Sequence, residues 1–553
     1  MNPAAMRHLL ICSGLTLLAA AACDSAPEEI KDPPVLRVTS PSRSTLQNRA
    51  GLVQVTGTVA PNEISGERVE KVLVNGVQAT VNADGTFIAV VDVRPGATLI
   101  HTVARDAAGQ EASDTRAVQA GQLRPGGGTV DDAITAPISK QAFAKLSAAA
   151  GPMIENMDMA ALLAPMQPMV RAGDENGEDC LFGRVYVDDV NMANAEISII
   201  PTNAGLSFRA QIDGLDVPGR ARYAVACVDG SNTVRVRAER VVVSGTLVVT
   251  PSGNQGFKTT LANETVKITG LDIDASGIPG NAIDMLSLDS LAGFVISKAA
   301  PLAMEPMMNK ALGGLAGPQQ IDVMGKTLTV EVDPTAIDIT SAGAMVTLST
   351  KTLISGAEKS PGYVFTDNGL PAMDTSAGFQ VGLADDMANE LLAEVKEIGL
   401  LNLSMPAHGG TFDNTAIQMT LPPMISADPA DGKMKVVLGD MIATLTDHGT
   451  PVAKTAVNVT IELKVVPASN GYGVALELGK PEAHVDVLED IENRTRMTHA
   501  DLAKAMDVCL EAQVTAISKL LTNIPLPAVA GLQMRNMSVA ADDGYVMLKG
   551  DID

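Results

Sequence analysis

Between residues 36 and 121 apolar and polar positions alternate in short runs: LRVTSP, LVQVTGTV, VEKVLVNGVQATV, GTFIAVVDV and ATLIHTVARD. A period of two sends successive side chains to opposite faces, so each run predicts a half-buried strand. Asn75-Gly76 and Asp84-Gly85 separate runs and suit the positive-φ corners of tight hairpins. The spacing predicts an all-β sandwich over 36–121. GQLRPGGGTVDD follows, and its three consecutive glycines predict a linker over 122–132.

The period then changes. Residues 137–170 carry apolar positions at helical spacing through Ile138, Phe143, Leu146, Met153, Ile154, Met157 and Leu162, with Pro152 and Pro165 expected to break the run. Residues 181–274 alternate again, as in RVYVDDV, AEISIIP, GLSFRAQIDGL and RVVVSGTLVVT. Helical spacing returns over 281–316 through Ile283, Leu286, Phe294, Met304, Met307 and Leu312, and strands resume with LTVEVDPTAIDI and GAMVTLSTKTLI.

The same order recurs in the second half. ADDMANELLAEVKEIGLL at 384–401 predicts a helix whose Asp385 and Asp386 favour the positive N-terminal end. Alternating runs follow, then a helical stripe over 499–523 through Leu502, Met506, Cys509, Gln513, Ile517 and Leu520, with Thr498 placed to cap it. Pro525 and Pro527 lead out of that helix into two short strands around Asp543-Gly544. ISIIPTNAGLSFRAQIDGL and PMISADPADGKMKVVLGDMIATL echo each other as strand, polar turn and strand. Helix, meander, helix and strand are written twice.

At the N-terminus Arg7, the apolar stretch Leu9–Leu18 and the small residues Ala19–Ala22 predict a secretory signal over 1–22. LLAAAAC resembles a bacterial lipoprotein cleavage box, which implies a lipid attached at Cys23. Residues 23–35 are polar and Pro-rich, as a tether should be. In an oxidising envelope Cys180 and Cys227, both among strand-like segments, are the expected disulfide, and Cys509 reads as a buried thiol.

Composition changes the picture in two places. Apolar residues make up 46% of the 553, yet beyond the signal no apolar run approaches the eighteen or so residues of a spanning helix. That apolar surface must fold inward, as core or as the lining of a cavity. Aromatics are 3% with no Trp, while 26 Met supply flexible filling for irregular apolar space. The charge of −24, with few aromatics, is the wrong sign for a polyanion, so no nucleic-acid partner is expected.

Candidate chemistry is sparse. His101, His408, His448, His484 and His499 are scattered, and no nucleophile elbow, HExxH or CxxC is present. DIDASGIPGNAID at 272–284 begins like a calcium loop but has Ile283 where a bidentate acid is needed. PGGG lacks the lysine of a phosphate loop. No metal, cofactor or catalytic residue is expected, and the chain does not read as an enzyme.

Two resemblances follow from these residues. VTGTV…VNGVQATVNADGTF…VARDAAGQ resembles the immunoglobulin-like domains of secreted bacterial proteins, which implies a spacer. IPLPAVAGLQMRNMSVAADDGYVMLKGDI resembles the end of the bactericidal/permeability-increasing protein family, within the tubular lipid-binding superfamily. FQVGLADDMANELLAEVKEIGLL resembles the start of that family's second module, and YVDDVNMANAEISIIPTNAGLSFRAQIDGLDVPG the early strands of its first.

This resemblance implies an α+β fold of two tandem modules, 133–355 and 356–553, each a curved antiparallel sheet wrapped on a long helix with an apolar groove between. The implied ligand is a phospholipid or another long-chain amphiphile. The residues expected to line the groove are Phe143, Leu146, Met153, Ile154, Met157, Leu286, Phe294, Met304, Met307, Leu391, Leu392, Val395, Leu502, Met506, Ile517 and Leu520. Burying one methylene contributes roughly 0.8 kcal/mol, so about fifteen could supply on the order of 12 kcal/mol before entropy costs. The family's animal members that bind lipopolysaccharide use a cationic tip, and neither IIPTNAG nor VVTPSGNQGFKT offers one. The expected function is a lipid-binding or lipid-transfer lipoprotein of the bacterial cell envelope, held to a membrane through its anchor. Outer membrane or periplasm is expected ahead of inner membrane. The alternative is a structural or adhesive surface lipoprotein with no ligand.

Overall fold

The computed structural model describes residues 32–552 except 176–180, 226, 254–255, 281–282, 284–285, 287–318, 324–325, 358–359, 361, 367–368, 376–377, 407–411, 429–432, 468–472, 492–523, 526–533 and 543. Nine strands fill the first alternating region: β1 (Val35–Ser40), β2 (Thr45–Gln47), β3 (Gly51–Ala60), β4 (Val69–Val74), β5 (Val77–Gln78), β6 (Thr80–Val81), β7 (Thr86–Val93), β8 (Gly96–Asp106) and β9 (Glu111–Ala120). They form two sheets, β1-β3-β7-β6 and β2-β9-β8-β4-β5. Their inner faces enclose one core, with Val55, Val59, Phe87 and Val93 meeting Val72, Val74, Ile100 and Val118. Asn75, Gly76 and Gly85 all have positive φ, as the hairpin pattern requires.

The expected linker is sheet instead. β10 (Gln122–Arg124) pairs with β22 (Tyr363–Phe365), and β11 (Thr129–Ser139) begins inside the glycine-rich stretch. The Arg124 guanidinium lies 3.5 Å over the Phe365 ring. Backbone donors that a flexible linker would leave to water here find an edge strand.

The next part builds a curled sheet. α1 (Lys140–Glu155) and α2 (Met159–Leu163) precede β12 (Val170–Gly173), β13 (Phe182–Val187), β14 (Asn194–Thr202), β15 (Gly205–Val225), β16 (Val228–Pro251), β17 (Phe257–Thr269) and β18 (Asp272–Asp274). β15 and β16 keep one register from Leu206–Leu247 to Val225–Val228, with only Gly214 and Glu239 left out of the pairing, a hairpin about 65 Å long at ~3.3 Å per residue. On β15 the buried positions run 206, 208, 210 and 212, then 215 and 217; opposite, they run 234, 236 and 238, then 241 and 243. Both slips fall at the same height, where Gly214 has φ +61. Each strand therefore bends while its apolar side chains stay on the concave face. The convex face carries cross-strand ion pairs such as Arg235–Asp216 and Arg240–Asp213, both 2.6 Å.

A second sheet joins the two halves of the chain. β19 (Gln319–Val323), β20 (Lys326–Thr340) and β21 (Gly343–Ile354) lead to β11, which pairs on its other side with β23 (Phe379–Ala384). The order is β19-β20-β21-β11-β23-β33-β32, where β32 (Met534–Asp542) and β33 (Tyr545–Ile552) are the C-terminal hairpin expected around Asp543-Gly544. A boundary at 355/356 thus falls between strands of adjoining halves that share a single sheet.

α3 (Asp385–Glu397) follows β23, and a further curled sheet is built from β24 (Leu403–Pro406), β25 (Asn414–Gln418), β26 (Met424–Asp428), β27 (Lys433–Asp447), β28 (Thr450–Pro467), β29 (Gly473–Leu478), β30 (Glu482–Asp490) and β31 (Ile524–Pro525). The described chain is mostly β, with curled half-barrel sheets rather than an even α+β mixture. Tandem, helix-wrapped modules are evident only in part. The helices expected over 281–316 and 499–523 lie outside the described residues, save for Ile283 and Leu286. Among the described residues no helix is long and apolar enough to cross a membrane.

Candidate functional site

Among the described residues, the concave face of the first curled sheet carries the largest buried apolar cluster. Ser139 starts α1 against it: its hydroxyl accepts the Ala142 N–H at 3.2 Å and donates to Gly378 O at 3.1 Å. Pro152 is accommodated inside α1, which ends at Glu155, whereas Pro165 does mark a break, into a 3₁₀ turn.

Among the described residues β14 pairs with β15 alone, so its other edge needs partners, and α1 supplies them. Ser147 Oγ accepts the Ile199 N–H at 2.9 Å, and Glu155 Oε1 accepts the Ala195 N–H at 2.7 Å. A Cβ at Gly151 would run into Ala195 O, so only glycine lets the helix lie this close.

Between helix and sheet, Phe143, Ile154, Met159 and Leu163 meet Ile197, Ile199, Phe208, Ile212, Val236 and Val243 in one continuous cluster. Of the residues expected to line a groove, Phe143, Ile154 and Leu286 are buried in this cluster. Leu146 and Met157 are half-buried against it, and Met153 is half-buried outside it. Leu391 and Val395 lie elsewhere: they pack with Leu328, Ile354 and Ala357 on the shared sheet. Leu392 is half-buried on the same helix. Phe294, Met304, Met307, Leu502, Met506, Ile517 and Leu520 lie outside the described residues, as do Cys23 and Cys180. Cys227 is disulfide-bonded.

Sequence reasoning missed the polar face of α3. Its buried residues are Asp385, Asp386, Asn389, Glu390, Ala393 and Glu394, so the acidic stripe and not an aliphatic one turns inward. Glu390 Oε2 accepts the Thr352 hydroxyl at 2.8 Å, and Glu394 Oε2 accepts the Ile354 N–H at 2.8 Å. Burial pushes the Glu390 carboxyl up to about 7, with Glu394 adding to the shift and the Thr352 hydroxyl opposing it. Acidic residues at i, i+4 and i+8 beside the threonines of TLSTKT are the one sequence signal for this arrangement.

Nearby, a polar cavity of about 240 Å³ is lined by Gln122, Arg124, Asp131, Asp132, Phe365, Asp386 and Tyr545 among others. Tyr545 donates to Asp132 O at 2.7 Å across it. His448 hydrogen-bonds Asp447 at 2.7 Å through Nδ1 and Asp413 at 2.9 Å through its backbone N–H, which accounts for the proximity of these three groups at a hairpin turn. His101 and His484, far apart in sequence, have ring centroids 4.6 Å apart.

Residues 34–122 match the family model described as Glucodextranase, domain B, an immunoglobulin-like β domain. Among solved structures, a lipopolysaccharide binding protein is similar over 77% of this chain and 99% of its own, at 14% identity and a TM-score of 0.38. P47 from Clostridium botulinum A2 is similar over 76% of this chain and 96% of its own, at 10% identity and a TM-score of 0.21. No curated protein matches the chain.

Proposed function

We propose that this chain is a lipid-binding protein that holds the acyl chains of a phospholipid or similar amphiphile against the concave face of its curled sheets. The observation that carries the reading is the single apolar cluster running from α1 and α2 across β13 to β17, bordered by half-buried, flexible Leu146, Met157, Leu162, Met166 and Met192. A curled sheet with helices inside is harder to fill solidly than two flat layers, and methionine and leucine at its margin adapt to a chain of variable length. Such binding rests on apolar area and needs no catalytic group.

The N-terminal motif ending at Cys23 supports an envelope lipoprotein, anchored by its acylated first residue after cleavage. Organic extraction of natively purified protein followed by mass spectrometry tests the lipid reading. Co-purifying long-chain amphiphile in near-stoichiometric amount is expected, together with uptake of a fluorescent phospholipid. Lipid-free protein that also takes up none overturns it.

A further inference from the structure

The sandwich does not stand clear of the second module. At Thr115–Ala117, β9 has β8 on one side and, among the described residues, no strand on the other, because β2 reaches only Val118–Ala120. Side chains of the second curled sheet occupy the vacant edge. Asp486 Oδ2 accepts the Thr115 N–H at 2.9 Å, Asn458 Nδ2 donates to Thr115 O at 2.9 Å, and Asp440 Oδ2 accepts the Ala117 N–H at 3.0 Å. Asp440 is fully buried, at a φ of +45 where the β27 register slips between Leu438 and Met441. That bulge turns its carboxylate out of the sheet and toward the sandwich.

Arg43 sits at the centre of the contact. Its guanidinium reaches Asp114 at 3.0 Å within the sandwich, and Asp440 and Asp486 of the second sheet at 3.1 Å each. Carboxylates buried this way cannot recover water unless the two surfaces part, so a shared cation holds the surfaces together. Arg116 also binds Asp114, at 2.8 Å, but makes no ion pair across the contact among the described residues.

We infer that the sandwich is latched to the second module as one rigid body, with Arg43 as the pin, and is not a spacer swinging on its connection. The inference does not depend on lipid binding.

Hydrogen exchange of the full chain, read by mass spectrometry on peptides spanning 111–120, tests it against variants Arg43→Met and Asp440→Gly. Glycine keeps the positive-φ backbone at 440, and the change lies outside the sandwich, whose own folding it leaves alone. Slow exchange at Thr115 and Ala117 is expected in the unmodified chain, with acceleration of about a hundredfold in both variants while amides of β3 and β7 stay slow. Rapid exchange at 115 and 117 in the unmodified chain, or no acceleration in Asp440→Gly, overturns the latch.

Discussion

Asn389 Nδ2 donates to Ile425 O at 2.9 Å while its Oδ1 accepts the Ile425 N–H at 2.7 Å. One side-chain amide thus stands in for a neighbouring strand on β26, whose strand partner among the described residues is β27 alone. The same solution appears where Ser147 and Glu155 serve β14 and where Asp440, Asn458 and Asp486 serve β9. A protein of curled, open sheets has many edges, and here they are satisfied by single polar side chains.

Replacing Asn389 by Leu keeps the number and branching of the side-chain heavy atoms and removes both bonds. The Ile425 amide and carbonyl are then stranded beside a buried helix, at a cost of roughly 2–4 kcal/mol. Urea denaturation should show that loss; a difference below about 0.5 kcal/mol would mean that water replaces the side chain.

Glu390 makes stability fall on the alkaline side. Its carboxyl titrates near 7 in the folded chain against an ordinary 4.5, so the folded state holds the extra proton between those values. The contribution is complete below pH 4.5 and is lost as pH rises through about 7. Thermal melts should drop between about pH 4.5 and pH 7, and Glu390→Gln should flatten the drop by up to about 3 kcal/mol. An unchanged slope in the variant would refute this assignment.

The sandwich contact holds two titrating groups that oppose each other. Burial raises the Asp486 carboxyl to about 6, so its contribution to docking is present below its ordinary 3.8 and lost as pH rises through 6. Burial, then the neighbouring His484, lowers His101, so its contribution is present above its ordinary 6.5 and lost on acidification. Between about pH 4 and 6 the two work in opposite senses, so the pH dependence of exchange at Thr115, once intrinsic rates are corrected, should be shallower than Asp486 alone would produce. Asp486→Asn leaves only the histidine, and acid should then loosen β9; equal pH dependence in both proteins would count against it.

Cys227 should be found joined to Cys180. Phe182 faces Ala224 across β13 and β15, and in the sequence Cys180 stands two residues before Phe182 and Cys227 three after Ala224. Non-reducing peptide mapping should recover that cross-linked peptide, and a link to Cys509 would exclude it.

The sandwich strands and the C-terminal hairpin were legible because alternation and the Asn-Gly, Asp-Gly and Asp543-Gly544 corners are local signals. The α1 region was legible through its spacing, although Pro152 sits inside the helix and not at a break. What escaped was relational. Nothing near Arg43 announces Asp440, and nothing in PGGG announces that Gln122–Arg124 will pair with Tyr363–Phe365. The acidic face of α3 was hidden because charge usually marks the wet side of a helix, and only the facing threonines reverse that rule.

Because β33 completes a sheet that β11 begins, the strand at Thr129–Ser139 lies two places away from residues synthesised some four hundred positions later. During translation the edge of β23 must wait uncovered while more than a hundred and fifty residues emerge. Loss of β32 and β33 should therefore expose a sticky margin on the sheet that joins the two halves of the chain, making premature termination far more damaging than its length suggests.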